Sequence, residues 1–408
     1  MSTRASGLAP ARIDELIGIY RDGLLEDVIP FWIRHSVDEE HGGYMFSVDR
    51  DGLIVDTDKA VWLQGRFAWM LATLYNTVEP RAEWLRLAKH GIDFLDAHCF
   101  DDDGRMFFLV TREGKPLRKR RYFFSETFAV IAYAAYAKAA EDPALLQAAE
   151  DLFRRVTRLV TTPGALPPKV DPAVRPMKGL AVPMILIATA QSLREAGGDP
   201  ELCNRWIDRC IDEIESDFMK PDMRAVLETV GPNGEFLDHF DGRMLNPGHS
   251  IEAAWFILEE ARMRGNDTRL RTLGETILEW MWAWGWDAEY GGLFYFRDVK
   301  RLPVQEYWHD MKFWWPHNEA IIAALLAYHL TGDAKYAAMH EQVHEWTYAH
   351  FPDAEHGEWY GYLHRDGRLS VPLKGNTWKG CFHVPRMQWK CWQILEEMKG
   401  GLATKQAD

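Results

Sequence analysis

The sequence predicts an all-α protein, an (α/α)6 barrel built from six helix-pair repeats that carry short β-hairpins. Two observations predict this fold. An apolar helical segment returns six times along the 408 residues, and most copies are followed by a second helix and an aromatic hairpin. Self-similarity at a fixed spacing indicates a repeat architecture. A linear array of repeats needs polar caps at both ends; the sequence shows no such terminal units, so we expect the repeats to close into a ring.

The first helix of each repeat is the more apolar one. It opens with polar or special residues and then continues apolar for about five helical turns. At roughly 65 residues, the unit is longer than the common helical solenoid repeats. The six apolar helices begin near Val61, Tyr122, Pro176, Pro247, Trp315 and Gly380.

The hairpins are recognisable by acidic, glycine-containing turns that precede alternating aromatic residues. Four copies are clear and two are degenerate. The stretch after Asp217 has lost its glycines, and a proline-rich loop over residues 162–176 takes the place of another copy. The clear hairpins start at Asp38, Asp101, Asp287 and Asp353.

One domain is expected in spite of the chain length. A single hydrophobic core usually stops growing at roughly 250–300 residues, but a ring of helix pairs escapes this limit because each pair packs mainly on its neighbours. We predict one catalytic domain over residues 1–400 and a disordered tail over residues 401–408. No apolar stretch of about 18 residues is free of charged or strongly polar residues, so we expect no membrane span.

Composition and charge exclude several classes of partner. The net charge of -14 argues against nucleic acid, and we interpret the one basic run, residues 115–121, as the solvated edge of a hairpin. Residues 1–12 lack the apolar core of a secretory signal. The five cysteines contain no CxxC pair and are expected to be reduced. We therefore expect a cytoplasmic protein that binds neither nucleic acid nor membranes.

Polar residues at the helix starts are the candidates for chemistry, because six equivalent helix starts meet at one end of a ring and converge on a central pocket. Asn246 is a good N-cap, and Pro247 suits the first helical position. His249 then lies in the first turn, with Glu252 one turn later on the same face. A carboxylate there can fix the imidazole tautomer and leave the other nitrogen free as a base. The alternative is a packed histidine in a capping arrangement.

His383 and His317 occupy the same register in two later repeats. His383 has apolar neighbours, and Pro385 fixes the local backbone. Because burial disfavours the charged imidazole, we expect the pKa of His383 near or below neutrality, which suits a general base or acid. A buried histidine bonded to a carbonyl is the alternative. His317 could hold substrate or only orient a neighbour.

Tryptophan is frequent near the same helix starts. Indole faces pack against the C–H faces of a sugar ring, and the indole N–H can donate to a hydroxyl. We therefore expect Trp315 and Trp378 in a sugar-binding pocket. The other candidates for substrate binding at the helix starts are Gln64, Arg66, Glu126, Glu252 and Glu319.

One segment matches a zinc-site motif, but we interpret the match as coincidental. His340-Glu341-Gln342-Val343-His344 fits the H-E-x-x-H pattern that supplies two zinc ligands and a general base in metalloproteases. It lies in the second helix of the fifth repeat, away from the converging helix starts, and no third ligand is evident. We expect a solvated helix face there and no metal site.

Four segments around the helix starts form specific motifs: Trp62-Leu63-Gln64-Gly65-Arg66, Asn246-Pro247-Gly248-His249 with Glu252-Ala253, Lys312-Phe313-Trp314-Trp315-Pro316-His317 with Glu319-Ala320, and Lys379-Gly380-Cys381-Phe382-His383-Val384-Pro385-Arg386. Together they resemble the N-acylglucosamine 2-epimerase family over nearly the whole chain. The resemblance implies an (α/α)6 barrel that acts as a sugar 2-epimerase or an aldose–ketose isomerase. His249 and His383 match the catalytic pair of the family, and Arg66 and Glu252 match residues that line its site.

The resemblance also implies a substrate class. Members of the family interconvert N-acetylglucosamine and N-acetylmannosamine, epimerise cellobiose or glucose, or isomerise mannose to fructose. Residues 177–184, at the third inner helix, resemble the N-acyl branch, so we expect an N-acetylglucosamine 2-epimerase, with an enzyme for mannose, glucose or cellobiose as the alternative. Two opposed histidines require no metal or nicotinamide. Activation by a nucleotide, as in some relatives, and a homodimer are left open.

Two other classes of protein stay open at this point. An (α/α)6 barrel can be a glycoside hydrolase with two carboxylates that flank the scissile bond. Glu126, Glu252 and Glu319 are available for that role, but the histidine pair is then unexplained. A sugar-binding protein without turnover is the other alternative, and the intact histidine motifs argue against it.

Overall fold

The computed structural model describes residues 7–120, 122–168 and 170–407, with side chains as far as Gly401. Within these ranges, helices alternate between an inner and an outer layer, and short antiparallel strands gather near the starts of the inner helices. This arrangement confirms the predicted all-α barrel of helix pairs. In chain order the helices are α1 (Pro10–Asp22), α2 (Ile29–Ser36), α3 (Val61–Thr77), α4 (Ala82–His98), α5 (Phe124–Ala140), α6 (Pro143–Thr161), α7 (Ala181–Glu195), α8 (Pro200–Glu213), α9 (Phe240–Arg243), α10 (Pro247–Met263), α11 (Thr268–Gly285), α12 (Trp314–Thr331), α13 (Ala334–His350) and α14 (His383–Ala407).

The inner and outer helices differ in where their apolar residues lie. The inner helix α12 is buried without interruption from Trp314 to Ala327, as expected for a helix that is apolar all round. The outer helix α6 buries Leu152, Phe153 and Val156 on one face only. The inner layer comprises α3, α5, α7, α10, α12 and α14, and the outer layer comprises α4, α6, α8, α11, α13 and the pair α1 and α2, which a π-helical turn at Gly23–Val28 joins.

Short strands fix where the inner helices begin. They are β1 (Ser47–Val48), β2 (Ile54–Asp56), β3 (Lys59–Ala60), β4 (Leu109–Val110), β5 (Pro116–Arg118), β6 (Lys178–Gly179), β7 (Met219–Lys220), β8 (Ala225–Val226), β9 (Thr229–Val230), β10 (Met244–Leu245), β11 (Arg297–Asp298), β12 (Lys312–Phe313), β13 (Tyr362–Leu363) and β14 (Leu369–Val371). β3 leads into α3 and pairs with β4, and β12 leads into α12 and pairs with β13. β6 and β10 precede α7 and α10 and pair with β9 and β11. The inner helices therefore start at one end of the ring.

The four clear hairpins of the sequence are present, and each is closed by an antiparallel bridge. Residues 162–168 and 170–176 form a loop without strands, in agreement with the predicted proline-rich replacement. α14 continues to Ala407, whereas the sequence predicted a disordered tail over residues 401–408; Asp408 lies outside the described residues. The bridged pairs are Val37 with Tyr44, Phe100 with Met106, Trp286 with Leu293, and Pro352 with Trp359.

Buried ion pairs hold the hairpins in place and close the ring. The Nζ of Lys59 lies 2.8 Å from Asp38, and the Nζ of Lys374 lies 2.9 Å from Asp353. Asp353 also accepts from Arg50 at 2.8 Å. Because Arg50 follows the first hairpin and Asp353 belongs to the last, this ion pair joins the two ends of the repeat array. Equivalent pairs between neighbouring repeats are Arg112 with Asp38 and Arg365 with Asp287.

The H-E-x-x-H segment of α13 differs from expectation. His340 and His344 are buried rather than solvated, because this face of the helix packs against α1. Each imidazole lies 2.9 Å from the hydroxyl of Tyr20, and burial lowers the pKa of both histidines to about 3. The pair is a neutral packing contact, so the interpretation as a solvated face is wrong. No helix in the described part of the chain is long and apolar enough to cross a membrane.

Candidate active site

A cavity of about 760 Å³ lies inside the ring, among the starts of the inner helices. The structure brings six of the ten predicted site residues to its wall, from α3, α10, α12, α14 and the segment before α14. The prediction that the helix starts converge therefore holds for these positions. The six residues are Arg66, His249, Glu252, Trp315, Trp378 and His383.

His249 is held at the start of α10 by two neighbours. Its backbone N–H donates to the Asn246 side chain at 3.2 Å, which is the predicted N-cap. Its Nδ1 lies 3.0 and 3.1 Å from the two carboxylate oxygens of Glu228. Because a carboxylate only accepts, the proton belongs on Nδ1, and Nε2 is left for the cavity. The sequence suggested Glu252 for this orienting role, and the structure assigns it to Glu228 instead.

His383 is the first residue of α14, and Glu319 lies directly behind it. The Nδ1 of His383 lies 2.7 Å from Oε1 of Glu319, which is fully buried. Glu319 also accepts from the indole N–H of Trp255 and from Arg386, each at 2.7 Å. Three donors fix this carboxylate, and the carboxylate fixes the imidazole with Nε2 free for the cavity. Glu319 therefore acts on His383 and not on the contents of the cavity.

The two imidazoles differ in their preferred charge. Burial lowers the pKa of His249, but the nearby carboxylates, Glu228 foremost and then Glu252 and Glu319, together outweigh burial, so the pKa of His249 lies above its ordinary value. Burial also lowers the pKa of His383, and here Arg386 and Arg66 add to the effect, so its pKa falls well below the ordinary value. Near neutral pH, His249 is the better proton donor and His383 the better base.

One indole contacts both histidines. The ring centre of Trp315 lies 5.1 Å from that of His249 and 5.8 Å from that of His383. The two imidazoles therefore flank a flat aromatic surface, on which the C–H face of a sugar can stack. Trp378 lies at the rim of the cavity, where it is 48% exposed and packs edge-on against Trp62 at 5.4 Å.

Arg66 reaches the cavity from α3 as a cation held by aromatic rings. Its guanidinium carbon lies 4.5, 4.2 and 4.6 Å from the ring centres of Trp62, Phe128 and Phe382. Its Nε has no hydrogen-bond partner among the described residues. Burial, and then the charge of Arg386, lower the pKa of Arg66 to about 9, so it stays positive at neutral pH. Such a cation is suited to bind an oxygen that becomes negative during a reaction.

Glu252, Glu319 and His383 lie close enough to be considered as metal ligands, since their ligand atoms are within 4.8 Å of one another. The guanidinium of Arg386 already lies among them. Its Nη2 is 2.5 Å from Glu252 and 2.7 Å from Glu319. Because this cation is paired with both carboxylates, the cluster is an ion-pair network that supports the wall of the cavity.

Three predicted site residues lie outside the cavity and share a structural role. Each accepts a hydrogen bond from a backbone N–H of the preceding hairpin, so their predicted role in substrate binding is corrected to hairpin anchoring. The Nδ1 of His317 also donates to the carbonyl of Phe313 at 2.6 Å, and burial lowers the pKa of His317 to about 3. The anchoring bonds are Tyr44 N–H to Gln64 at 2.7 Å, Met106 N–H to Glu126 at 3.0 Å, and Leu293 N–H to His317 at 2.8 Å.

Glu228 is a residue of the candidate site that sequence reasoning missed. It lies between β8 and β9, in the repeat whose hairpin has lost its glycines. Its backbone N–H donates to the carbonyl of Met244, just before α10, at 3.1 Å. This pairing brings its carboxylate under His249. No motif marks the position in the sequence, and only the strand pairing reveals it.

Three comparisons relate the chain to known proteins. The family model described as N-acylglucosamine 2-epimerase (GlcNAc 2-epimerase) matches residues 43–384. The N-acylglucosamine 2-epimerase of Bos taurus is 39% identical over 393 residues, which cover 94% of this chain and 92% of the relative. The corresponding protein of Homo sapiens is 38% identical over 395 residues, with 94% and 90% covered. The structure of cellobiose 2-epimerase from Bacillus thermoamylovorans B4167 has the same fold, with a TM-score of 0.81 at 21% identity over 94% of this chain and 100% of that one.

Proposed function

Because the chain belongs to the N-acylglucosamine 2-epimerase family, we propose that it interconverts N-acetylglucosamine and N-acetylmannosamine in the cavity between His249 and His383. These two sugars differ only in configuration at C2. The observation that carries the proposal is the pair of imidazoles with opposite charge preferences, both in contact with Trp315.

The reaction uses the open-chain form of the sugar. The hydrogen on C2 is acidic only because of the adjacent C1 carbonyl, and its removal leaves an enolate in which C2 is planar and carries the acylamino group. In one direction the neutral His383 removes the proton from one face, and the charged His249 returns a proton to the opposite face. C2 is thereby inverted. In the reverse direction the two histidines exchange roles.

Arg66 and Arg386 have separate parts in this scheme. Arg66 binds the C1 oxygen as this oxygen becomes negative. Its guanidinium is already packed against the ring of Phe128, so the side chain need not reorganise during the reaction. Arg386 forms ion pairs with both Glu252 and Glu319. With these two cations, the proton transfers require neither a metal nor a nicotinamide. The five cysteines are buried thiols, which fits a reducing, cytoplasmic location.

The wall formed by α7 favours an acylamino group at C2 over a free hydroxyl. Ala181, Met184 and Ile185 line this side of the cavity. Their side chains leave room for an acyl methyl group and offer no hydrogen bond to a 2-hydroxyl. Hexoses without the acyl group therefore bind this wall less well.

A substrate panel tests the proposal. The purified protein is incubated separately with N-acetylglucosamine, N-acetylmannosamine, mannose, glucose and cellobiose, and the products are separated by chromatography. We expect both N-acetyl sugars to interconvert, with kcat/KM at least about tenfold above that for mannose. Formation of fructose from mannose without action on the N-acetyl sugars would contradict the proposal in favour of an isomerase. Absence of any conversion would contradict it in favour of a binding protein.

A further inference from the structure

The last hairpin is held differently from the others. In two of the other hairpins, the backbone N–H groups of Tyr44 and Leu293 donate to inner-helix side chains, which we call the hairpin anchors; these are Gln64 and His317. The antiparallel bridges make Trp359 the equivalent of Tyr44 and Leu293 in the last hairpin. The histidine of α14 that shares the register of His317 faces the cavity, so the N–H of Trp359 needs another partner.

Glu358 is the residue that departs from the hairpin pattern. It is fully buried, and its φ of 55° lies in the left-handed region that favours glycine. The equivalent positions in the two other hairpins are Gly43 and Gly292, with φ of 66° and 69°. A Cβ at these glycines would lie 2.6 Å and 2.8 Å, respectively, from the hairpin anchors. The position therefore has room for an anchor or for a side chain of its own, but not for both.

In the last repeat, the side chain of Glu358 takes the place of the anchor. The backbone N–H of Trp359 stabilises the charged form of this carboxylate. The carboxylate also forms an ion pair with Nζ of Lys379, and both side chains are fully buried. The same Nζ donates to the carbonyl of Lys374 at 2.7 Å. One cluster thus fixes both the hairpin and the segment 374–379, which leads into α14.

This segment is longer in the last repeat than in two others. The buried lysines Lys59 and Lys312 precede the hairpin anchors of their repeats by five residues, whereas Lys374 precedes His383 by nine. The bond from Lys379 to the carbonyl of Lys374 folds the additional residues into a loop. The Glu358–Lys379 pair, which has no counterpart beside Gly43 or Gly292, therefore occurs where the chain must be brought back into register.

The ion pair also reaches His383 through Trp314. The Nζ of Lys379 lies 5.9 Å from the ring centre of Trp314. This indole packs edge-on against the imidazole of His383, with the two ring centres 6.1 Å apart. A displaced Lys379 would therefore move both the chain that precedes the histidine and a ring that packs against it.

We propose that Glu358 and Lys379 are positioning residues for His383. Glu358 replaces the hairpin anchor, so the histidine in the anchor register is free to face the cavity, and Lys379 fixes the chain that presents it. Both residues lie outside the cavity lining, so they act through the histidine and not on the sugar. The inference rests on the proposed 2-epimerase function, in which His383 serves one face of C2.

The double variant Glu358→Gly/Lys379→Met tests the pair, because it restores the glycine of the other hairpins and leaves no buried charge. Exchange of the C2 hydrogen in heavy water is measured by NMR, separately for N-acetylglucosamine and N-acetylmannosamine. Each epimer presents this hydrogen to one histidine only, so misplacement of His383 slows one exchange more than the other. We expect the ratio of the two rates to change by at least about tenfold from that of the wild type. An unchanged ratio in the folded variant would overturn the proposal, since a smaller folded fraction lowers both rates equally.

Asp38→Asn/Lys59→Met is the matched control. This ion pair is as buried as the other, but it precedes Gln64, which binds a hairpin backbone. We expect the melting temperature to fall in both double variants and the ratio of exchange rates to keep its wild-type value in the control. An equally large change of the ratio in the control would overturn the specific role of the Glu358–Lys379 pair. Glu358→Gln, judged by the same ratio, is the smaller change to use if circular dichroism shows that Glu358→Gly/Lys379→Met does not fold.

Histidine NMR makes the test independent of turnover. In protein with isotope-labelled histidine, the ring signals of His383 and His249 are identified by their absence in His383→Asn and His249→Asn. We expect the His383 signals to shift in Glu358→Gly/Lys379→Met and the His249 signals to stay in place. Unchanged His383 signals would overturn the positioning role whichever sugar the protein converts. A wild type that converts neither N-acetyl sugar, together with shifted His383 signals in the variant, would contradict the proposed function and support the positioning role.

Discussion

The two histidines of the cavity stand in equivalent positions of two repeats, yet their surroundings give them opposite charge preferences. Each has a carboxylate at Nδ1, Glu228 for His249 and Glu319 for His383. Glu319 also binds Arg386 at 2.7 Å, so its negative charge is already shared. Glu228 has no arginine or lysine partner among the described residues, so its charge is available to imidazolium. The repeat thus sets where each histidine lies, and the presence or absence of an arginine beside the carboxylate helps to set whether the imidazole is charged near neutral pH.

Loss of either imidazole is expected to have the largest effect on activity. His249→Asn and His383→Asn should each lower kcat/KM for N-acetylglucosamine by roughly 1,000-fold, because inversion at C2 needs a proton-transfer group on both faces. The melting temperature, measured by calorimetry, should change little in His249→Asn, whose side chain is 27% exposed. Near-normal turnover in either variant would show that the histidine concerned is not one of the two bases.

The carboxylate behind His383 should be important for both activity and folding. Glu319→Gln leaves Arg386 with Glu252 as its only acidic partner within the described chain. Because a charge in a buried ion pair is costly to leave without its partner, we expect the free energy of unfolding to fall by about 3 kcal/mol. We expect kcat/KM to fall roughly 100-fold as the imidazole loses its fixed orientation. Denaturant unfolding and steady-state kinetics give the two numbers, and unchanged stability would contradict the ion-pair network.

The carboxylate behind His249 should matter for the pH profile more than for folding. Because Glu228 raises the pKa of His249, the acid form persists above the ordinary histidine range, and kcat/KM should decline only as pH rises past that raised pKa. Glu228→Gln removes the largest of the contributions that raise this pKa, so this alkaline limb should move to lower pH, and kcat/KM near neutrality should fall about tenfold. The equilibrium between the epimers does not depend on pH, so both directions should show the same limbs. An alkaline limb that does not move would contradict the role of Glu228.

The smallest effect on activity is expected at His317, which the sequence analysis named as a candidate for substrate binding. His317→Gln should leave kcat/KM within about threefold, since both ring nitrogens bond to backbone and none faces the cavity, while the free energy of unfolding falls by about 1–3 kcal/mol. Because folding lowers the pKa of His317 to about 3, the unfolded chain binds the extra proton between that value and the ordinary histidine pKa. The wild-type stability should therefore fall as pH decreases through this window, with a smaller decrease in the variant. A large loss of activity at full stability would return His317 to the site.

The sequence was sufficient to predict the fold and the place of the candidate site, because both follow from periodicity. The repeat gives six equivalent helix starts, and those starts do surround the cavity that holds Arg66, His249 and His383. Equivalence of position did not imply equivalence of role. His317 has the register of His249 but points to a hairpin backbone.

The remaining features depend on contacts between distant parts of the chain. Glu228 reaches His249 through strand pairing in a degenerate repeat, and periodicity carries no information about it. The burial of His340 and His344 depends on the packing of α13 against Tyr20 of α1, more than 300 positions earlier in the chain.

The most direct test of the two-histidine account is the fate of the C2 hydrogen in heavy water. The wild-type protein is incubated with N-acetylglucosamine in heavy water, and the N-acetylmannosamine formed is examined by NMR. Histidine nitrogens exchange their protons with solvent, so the account predicts deuterium at C2 of the product. Full retention of the original hydrogen at C2 would contradict it, because the hydrogen would then have been carried through the reaction by a group that does not exchange with water.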